Sequence, residues 1–377
     1  MFKLKLFFIL LFINCFALSA PAIELVESTP VNSLYEQSTI ANTEPVWLAM
    51  INEAKQSIMI GSFFMDTQPH SSMETIIAAL NAAAERGVQV NIILDQSMQQ
   101  QSLRATRELS AKNITIHYID FKSVAGGVMH AKYMIVDNHD SFVGSQNFGW
   151  KAISQNHELG IRIDNPTLAN NLLQLFKLDW QANKVDRPII TNNPVNINGI
   201  IVYSAFSPKK IIPKNSAWEL PQLLDLIDNA KQQILIQVYQ YSDLSGYQGR
   251  NRWQAIDKAL IAAAQRGVKI KLVVSDAMLK GKAGLRGLQG IQNIPNLEIK
   301  ISSIPLYQGR KGAYTRVDHS KFMLVDDTLS WIGTSNWQKN YFYNSRDIAI
   351  IVSNKNINSQ LQTIFWQNWT GKYTKVV

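Results

Sequence analysis

"MHAKYMIVDNHDSFVGSQN" (129–147) and "DHSKFMLVDDTLSWIGTSN" (318–336) put one order of residue types into the chain twice. In each copy a histidine is followed two residues on by lysine and seven residues on by aspartate. An apolar run, a glycine, a small hydroxyl residue and an asparagine complete the pattern. The same 189-residue offset separates His130 from His319 and Asn147 from Asn336. Apolar periodicity recurs by chance, but a fixed set of polar types at fixed spacing seldom does, so the pair marks an internal duplication.

The duplication extends outward from the motif. "AKQSIMIGSFFM" (54–65) parallels "AKQQILIQVYQY" (230–241), and "AALNAAAERGVQVNIILDQSM" (78–98) parallels "KALIAAAQRGVKIKLVVSDAM" (258–278). An alanine-rich helix ending at Gly87 or Gly267, then a β-branched strand, predicts a parallel βαβ unit in each half. Each half closes with an amphipathic helix, "TLANNLLQLFKLDWQAN" and "NINSQLQTIFWQNWTGKY". The prediction is a duplicated α/β domain, with two mixed or parallel sheets flanked by helices and packed about a pseudo-twofold axis. Its boundaries are 1–22 for a signal peptide, 23–185 and 201–377 for the two domains, and a proline- and asparagine-rich linker at 186–200.

The first residues read as a targeting segment. Lys3 and Lys5 precede an apolar run from Phe7 to Phe16, and Ala20 and Ala22 are small residues around a cleavage point. The run is short for a bilayer span, which takes about 20 residues. A secreted or periplasmic protein is therefore expected. Cys15 is the only cysteine, so the mature chain can have no disulfide, zinc–thiolate site or cysteine nucleophile. Removing Lys3 and Lys5 lowers the formal charge from +9 to +7. This balance favours an anionic partner, either nucleic acid or an acidic membrane surface touched peripherally. No protein partner can be inferred.

Side chains two apart on a strand share a face, which puts His130 beside Lys132 and His319 beside Lys321. An ammonium neutralises the non-bridging oxygens of a phosphate, while an imidazole reaches phosphorus or a bridging oxygen. Asn147 and Asn336 can add neutral donors. If the pseudo-twofold axis joins the copies, one site holds two histidines, and they can divide the work into nucleophile and general acid. A nucleophilic imidazole must be neutral and fixed in one tautomer by a carboxylate on its other nitrogen. Glu158 lies 28 residues after His130, and Asp347 lies 28 residues after His319.

These two H-x-K-x-x-x-x-D elements, His130/Lys132/Asp137 and His319/Lys321/Asp326, resemble the signature of the phospholipase D superfamily, as do "GSQN" and "GTSN" after them. "YTRVDHSKFMLVD", "WIGTSNWQKNYF" and "VYSAFSP" (202–208) look most like the branch containing lysosomal single-strand exonucleases and poxvirus relatives. The resemblance covers nearly all of the mature chain. It implies a phosphodiesterase working through a phosphohistidine, with no cofactor and no metal. His130 would be the nucleophile and His319 the acid, with Lys132, Lys321, Asn147 and Asn336 on the phosphate. Glu158 and Asp347 would orient the imidazoles. Asp137 and Asp326, on the opposite strand face, are read as structural. The chain departs from the branch in lacking mature cysteines and in keeping aspartate at 326.

Around this centre, Trp150 and Trp337 either stack on a base or head group or pack beneath the site. Arg310, Lys311 and Arg316, in a basic loop just before His319, are candidates for tracking a polyanion backbone. His139 and His157 read as loop or edge residues, and His70 and His117 have no evident partner. Two substrates compete, a phospholipid head group and single-stranded nucleic acid. The alternatives are a cardiolipin synthase-like phosphatidyltransferase and a catalytically inactive binder of nucleic acid or membrane. A metallonuclease is disfavoured by the lack of cysteine, the single histidine after position 157 and the absence of an H-E-x-x-H pattern.

Overall fold

The computed structural model describes residues 21–182, 186–191, 193–246, 249–280, 284–309 and 312–377. Residues 1–20 of the expected signal segment, and Arg310 and Lys311 of the basic loop, lie outside it.

Each half builds one sheet with the same internal order. In the first, Ile23–Ser28, Glu158–Asp164, Asp140–Gly144, Tyr133–Val136, Ser57–Ser62, Gln89–Asp95 and Ile114–Ile119 lie side by side, with Ala41–Asn42 at the edge. In the second, Ile200–Ser207, Asp347–Ser353, Leu329–Gly333, Phe322–Val325, Gln233–Val238, Lys269–Ser275 and Leu297–Ser302 repeat that order. Ser57–Ser62 pairs parallel with Gln89–Asp95 through the helix Ser72–Glu85, and Gln233–Val238 pairs parallel with Lys269–Ser275 through Ala255–Gln265. These are the expected βαβ units. Both helices stop at a glycine in the left-handed region, Gly87 at φ 97° and Gly267 at φ 93°. A side chain would find open space at either position, so it is the backbone angle that calls for glycine. The linker is less irregular than its composition suggests, because Val195–Ile197 forms an edge strand against Ile200–Ser207.

Buried apolar residues fall into three clusters, and these define five layers. Outside the first sheet, Trp47, Met50, Ile76 and Leu80 from its helices meet Ile58, Ile60, Ile92 and Met134. Outside the second, Leu223, Ile227, Leu260 and Ala263 meet Ile234, Ile236, Leu272 and Met323. Between the sheets, the closing helices Pro166–Trp180 and Lys355–Thr370 supply Leu172, Phe176, Leu361 and Phe365 to a single core with strand residues of both halves. The halves therefore share a core. Each closing helix starts on an asparagine cap: Asn165 accepts from the amides of Thr167 and Leu168, and Asn354 from that of Ile357. Among the described residues no helix is long and apolar enough to cross a membrane.

Candidate active site

The motif strands begin later than expected, at Tyr133 and Phe322, one residue past each lysine. His130 and Lys132, and likewise His319 and Lys321, lie on extended segments just before them. Those segments pair with the other half. Met129 bridges Arg346 in parallel fashion, and His157 bridges Asp318. The backbone bonds are His130 N–H to the Arg346 carbonyl (3.0 Å) and His319 N–H to the His157 carbonyl (2.8 Å).

This interlock decides which carboxylate serves which histidine. His130 Nδ1 lies 2.8 Å from Asp347 Oδ1, and His319 Nδ1 lies 2.7 Å from Glu158 Oε2. Each imidazole is thus oriented by the carboxylate of the opposite half, a choice that the equal 28-residue spacing leaves open. The residue preceding each carboxylate joins the partner's motif segment, so its side chain comes out beside the partner's histidine. Ser145 donates to Glu158 Oε2 (2.6 Å) and Thr334 to Asp347 Oδ1 (2.7 Å). The small hydroxyl residues of the motif therefore anchor the carboxylates.

His130, Lys132, His319 and Lys321 are all buried, and the two lysines are completely so. Lys132 donates to the carbonyl of His130 and Lys321 to that of His319. Burial, with Lys132 and Lys321 adding, holds His130 well below the ordinary imidazole range. His319 is also lowered by burial, although Glu158 opposes the shift. Burial pushes Lys321 down to about 8 and depresses Lys132 strongly, and each ammonium lowers the other's proton affinity or that of the histidines. With Nδ1–H of each neutral ring given to a carboxylate, the Nε2 lone pair remains for chemistry. The two buried ammoniums, which donate to main-chain carbonyls here, have the charge and donors to hold the non-bridging oxygens of a phosphodiester.

Aromatic rings frame the imidazoles unequally. Tyr239 meets His319 edge-on at 4.5 Å, and Phe63, its counterpart in the repeat, lies 5.7 Å from His130. Tyr341 adds an edge-on contact to His130 at 4.7 Å, where the repeat places only Ala152 in the other half. Sequence reasoning missed these rings, though Phe63 and Tyr239 occupy matching places in the aligned stretches 54–65 and 230–241.

Asp137 and Asp326 do not sit on a strand face. They lie in the turns after the motif strands, each at φ 50°. Asp137 accepts from the amides of Lys55, Gln56 and Ser57, each at 2.8 Å, and Asp326 accepts from those of Lys231, Gln232 and Gln233. They fasten the motif hairpin to the start of the neighbouring strand. Asn147 and Asn336 are buried after their glycine turns. Trp337 is 1 % exposed and packs near Tyr241 and Trp331, so it offers no stacking surface. Trp150, 7 % exposed, borders a separate cleft of about 530 Å³ with His70 and Tyr307. Arg316 is not a free cation on a loop. It is buried, donates to Gln155 Oε1 (3.3 Å) and the Val31 carbonyl (2.5 Å), and lies over the Tyr307 ring. It ties the halves together instead of waiting for a substrate.

His157 requires the plainest correction. It is fully buried, not at a loop or edge. Its Nε2 lies 2.7 Å from Glu27 and its Nδ1 3.2 Å from Asp318, and its ring stacks on Tyr35 at 4.3 Å. Burial alone would lower its pKa, but Asp318 and Glu27 outweigh it and push the group up to about 10. The 189-residue offset pairs it with Arg346, a second buried cation, which forks onto Asp179 at 2.7 and 2.8 Å. Replacing His157 by alanine leaves two buried carboxylates without their counter-charge, and we expect a stability loss of about 3–5 kcal/mol at neutral pH. A folded-state pKa above the unfolded value stabilises fully below about 6.5, and that contribution disappears as pH rises through about 10. Urea titrations of the two proteins should therefore converge toward alkaline pH. A gap that persists unchanged there would count against a charged His157.

Among the described residues no group of three or more histidine, cysteine, aspartate or glutamate side chains could hold a metal ion. A family model described as "Cardiolipin synthase, PLD-like domain" matches residues 47–180 and 223–369. The 5'-3' exonuclease PLD3 of Xenopus laevis is 29% identical over 398 residues, which covers 93% of this chain and 80% of that protein. Phospholipase D Z of Dictyostelium discoideum is 27% identical over 383 residues, covering 94% and 90%. In fold, the chain is similar to phosphatidylserine synthase of Haemophilus influenzae, with a TM-score of 0.64 and 13% identity across 94% of this chain and 87% of that one.

Proposed function

Because this chain belongs to the family of phospholipase D-like domain proteins, we propose that it is a metal-independent phosphodiesterase passing its substrate's phosphoryl group through a covalent phosphohistidine. The observation that carries this reading is the pair of buried imidazole–carboxylate dyads beside two buried lysines. His130 Nε2, in a neutral ring, attacks phosphorus as the bond to the leaving oxygen breaks. His319, which enters this step as an imidazolium steadied by Glu158, gives that oxygen its Nε2 proton and becomes neutral. Water then attacks the phosphohistidine, the P–N bond breaks, and His319 takes the proton from the water. Lys132 and Lys321, with the amides of Asn147 and Asn336, hold the non-bridging oxygens throughout. They are most useful when charge on those oxygens grows.

The substrate we favour is the end of a single-stranded nucleic acid, supported by the relatives named 5'-3' exonuclease and by the net positive charge. The positively charged, apolar opening residues support export of the protein. An end-labelled single-stranded oligonucleotide in excess EDTA should be shortened stepwise by the mature protein and left intact by His319→Ala. Loss of activity on chelation would overturn the metal-free mechanism. Hydrolysis of a phospholipid head group is the second reading, favoured by the relative named phospholipase D Z, whose sequence aligns along 90% of its own length. An untouched oligonucleotide together with head-group release from vesicles would select it.

A further inference from the structure

The two halves differ directly behind their carboxylates. On the first side the network is neutral: Ser28 Oγ donates to Thr43 Oγ1 (2.7 Å), and Gln146 Nε2 donates to the same oxygen (3.1 Å). The repeat places Ser207, Glu219 and Ser335 at the corresponding positions. Ser28 and Ser207 stand opposite Glu158 and Asp347 in strand register. Thr43 and Glu219 are the first residues of equivalent helices, and Gln146 and Ser335 share the motif offset. In the second half both serine hydroxyls donate to Glu219 Oε2, each at 2.8 Å. A neutral hydroxyl on one side thus becomes a fully buried carboxyl on the other.

Two oxygens are left over. Glu219 Oε1 and Asp347 Oδ2 are both buried with no hydrogen-bond partner. Yet Glu219 is held by the register partner of Asp347, and by Ser335, the neighbour of the Thr334 that bonds Asp347. A buried carboxylate with an unmatched oxygen is expensive, and two of them side by side repel. A single proton held between them removes the repulsion and satisfies both oxygens.

We propose that Glu219 and Asp347 hold one proton between them, so that His130 faces a partly neutralised carboxyl while His319 faces Glu158, behind which the hydroxyl of Thr43 takes the place of the Glu219 carboxyl. Glu219 is then a positioning residue, acting through Asp347, that breaks the symmetry of the duplicated site and keeps His130 the weaker base. The assignment of nucleophile and acid rests on the phosphohistidine reading, but the shared proton does not. Burial pushes Glu219 up to about 7, and burial followed by Glu219 pushes Asp347 well above the ordinary carboxylate range. The groups facing Asp347 from the packed elements are Glu219, Lys132, Lys321, the Thr334 hydroxyl, Tyr341 and His130, and both lysines favour its charged form.

The test reads the imidazoles directly, with histidine ring nitrogens labelled with 15N and followed by NMR across pH. In the wild-type protein His130 should titrate below His319. Glu219→Thr, which installs the residue the other half carries at this place, should raise the His130 midpoint by about one pH unit. Glu219→Gln has no acid proton to share, so Asp347 ionises fully there too, and the His130 midpoint should also rise, by less than in Glu219→Thr because the amide can still donate to Asp347 Oδ2. An unmoved His130 midpoint in Glu219→Thr with an intact amide fingerprint overturns the proposal. So does a midpoint that stays at the wild-type value in Glu219→Gln, which cannot hold the shared proton. The titration needs no substrate, whereas the phosphohistidine is read separately, as labelled phosphate retained on His130 after an alkaline quench. Either idea can therefore fail without the other.

Discussion

His130→Ala should be inactive toward every phosphodiester, whatever its leaving group, with a loss of about 10^4-fold or more. No other group in the centre can form the covalent bond while His319 stays tied to Glu158 and both lysines are committed to the phosphate. His319→Ala should behave differently. An acid is needed only where the departing oxygen cannot bear its charge, and general acid catalysis is worth roughly 10^2–10^4-fold. The His319→Ala variant should fail on a nucleotide or alkyl ester, yet form the phosphoenzyme from a p-nitrophenyl diester at a rate close to wild type. A phenolate burst followed by a stalled second step is the expected record, because His319 is also the base for water. If His130→Ala gives the burst and His319→Ala does not, the two roles are exchanged.

The duplication and its histidines are open to inspection in the sequence because both depend on local spacing. An H-x-K pair stays together whatever the tertiary fold, and the alanine-rich helices and β-branched strands follow from near-neighbour periodicity. The crossing of the carboxylates depends on something else. A spacing of 28 residues in both halves is unchanged when the partners are exchanged, so it is equally compatible with own-half and opposite-half pairing. Only the bridges Met129–Arg346 and His157–Asp318 distinguish the two, and they join segments far apart in the chain. His157 shows the same limit. Beside Glu158 in a strand-like run it looks ordinary, and its burial follows from Glu27 and Asp318, which approach from opposite ends of the chain. One signal was present, since the 189-residue offset that matches the two motif histidines also matches His157 with Arg346.

The crossed dyads make a prediction that own-half dyads would reverse. Glu158→Gln should reproduce the defect of His319→Ala, although Glu158 belongs to the half that carries His130. Turnover of alkyl esters should fall by roughly 10^2–10^4-fold, since an amide in place of the carboxylate favours the wrong tautomer and no longer steadies an imidazolium. On the p-nitrophenyl diester the burst should return. Asp347→Asn should instead follow His130, with the burst slowed on both kinds of ester, because the nucleophile itself is misaligned. The interaction energies sharpen the distinction. On the p-nitrophenyl substrate Glu158→Gln combined with Asp347→Asn should be close to Asp347→Asn alone in burst rate, whereas Glu158→Gln with His319→Ala should be no worse than His319→Ala on alkyl esters. If Glu158→Gln slows the burst and Asp347→Asn spares it, the carboxylates act on the histidines of their own halves. The bridging segments would then have to separate when substrate binds. If the crossed pattern holds, each half supplies the orienting carboxylate for the other's histidine. Neither half alone could assemble even one working dyad, and this gives the shared core between the sheets a catalytic purpose as well as a structural one.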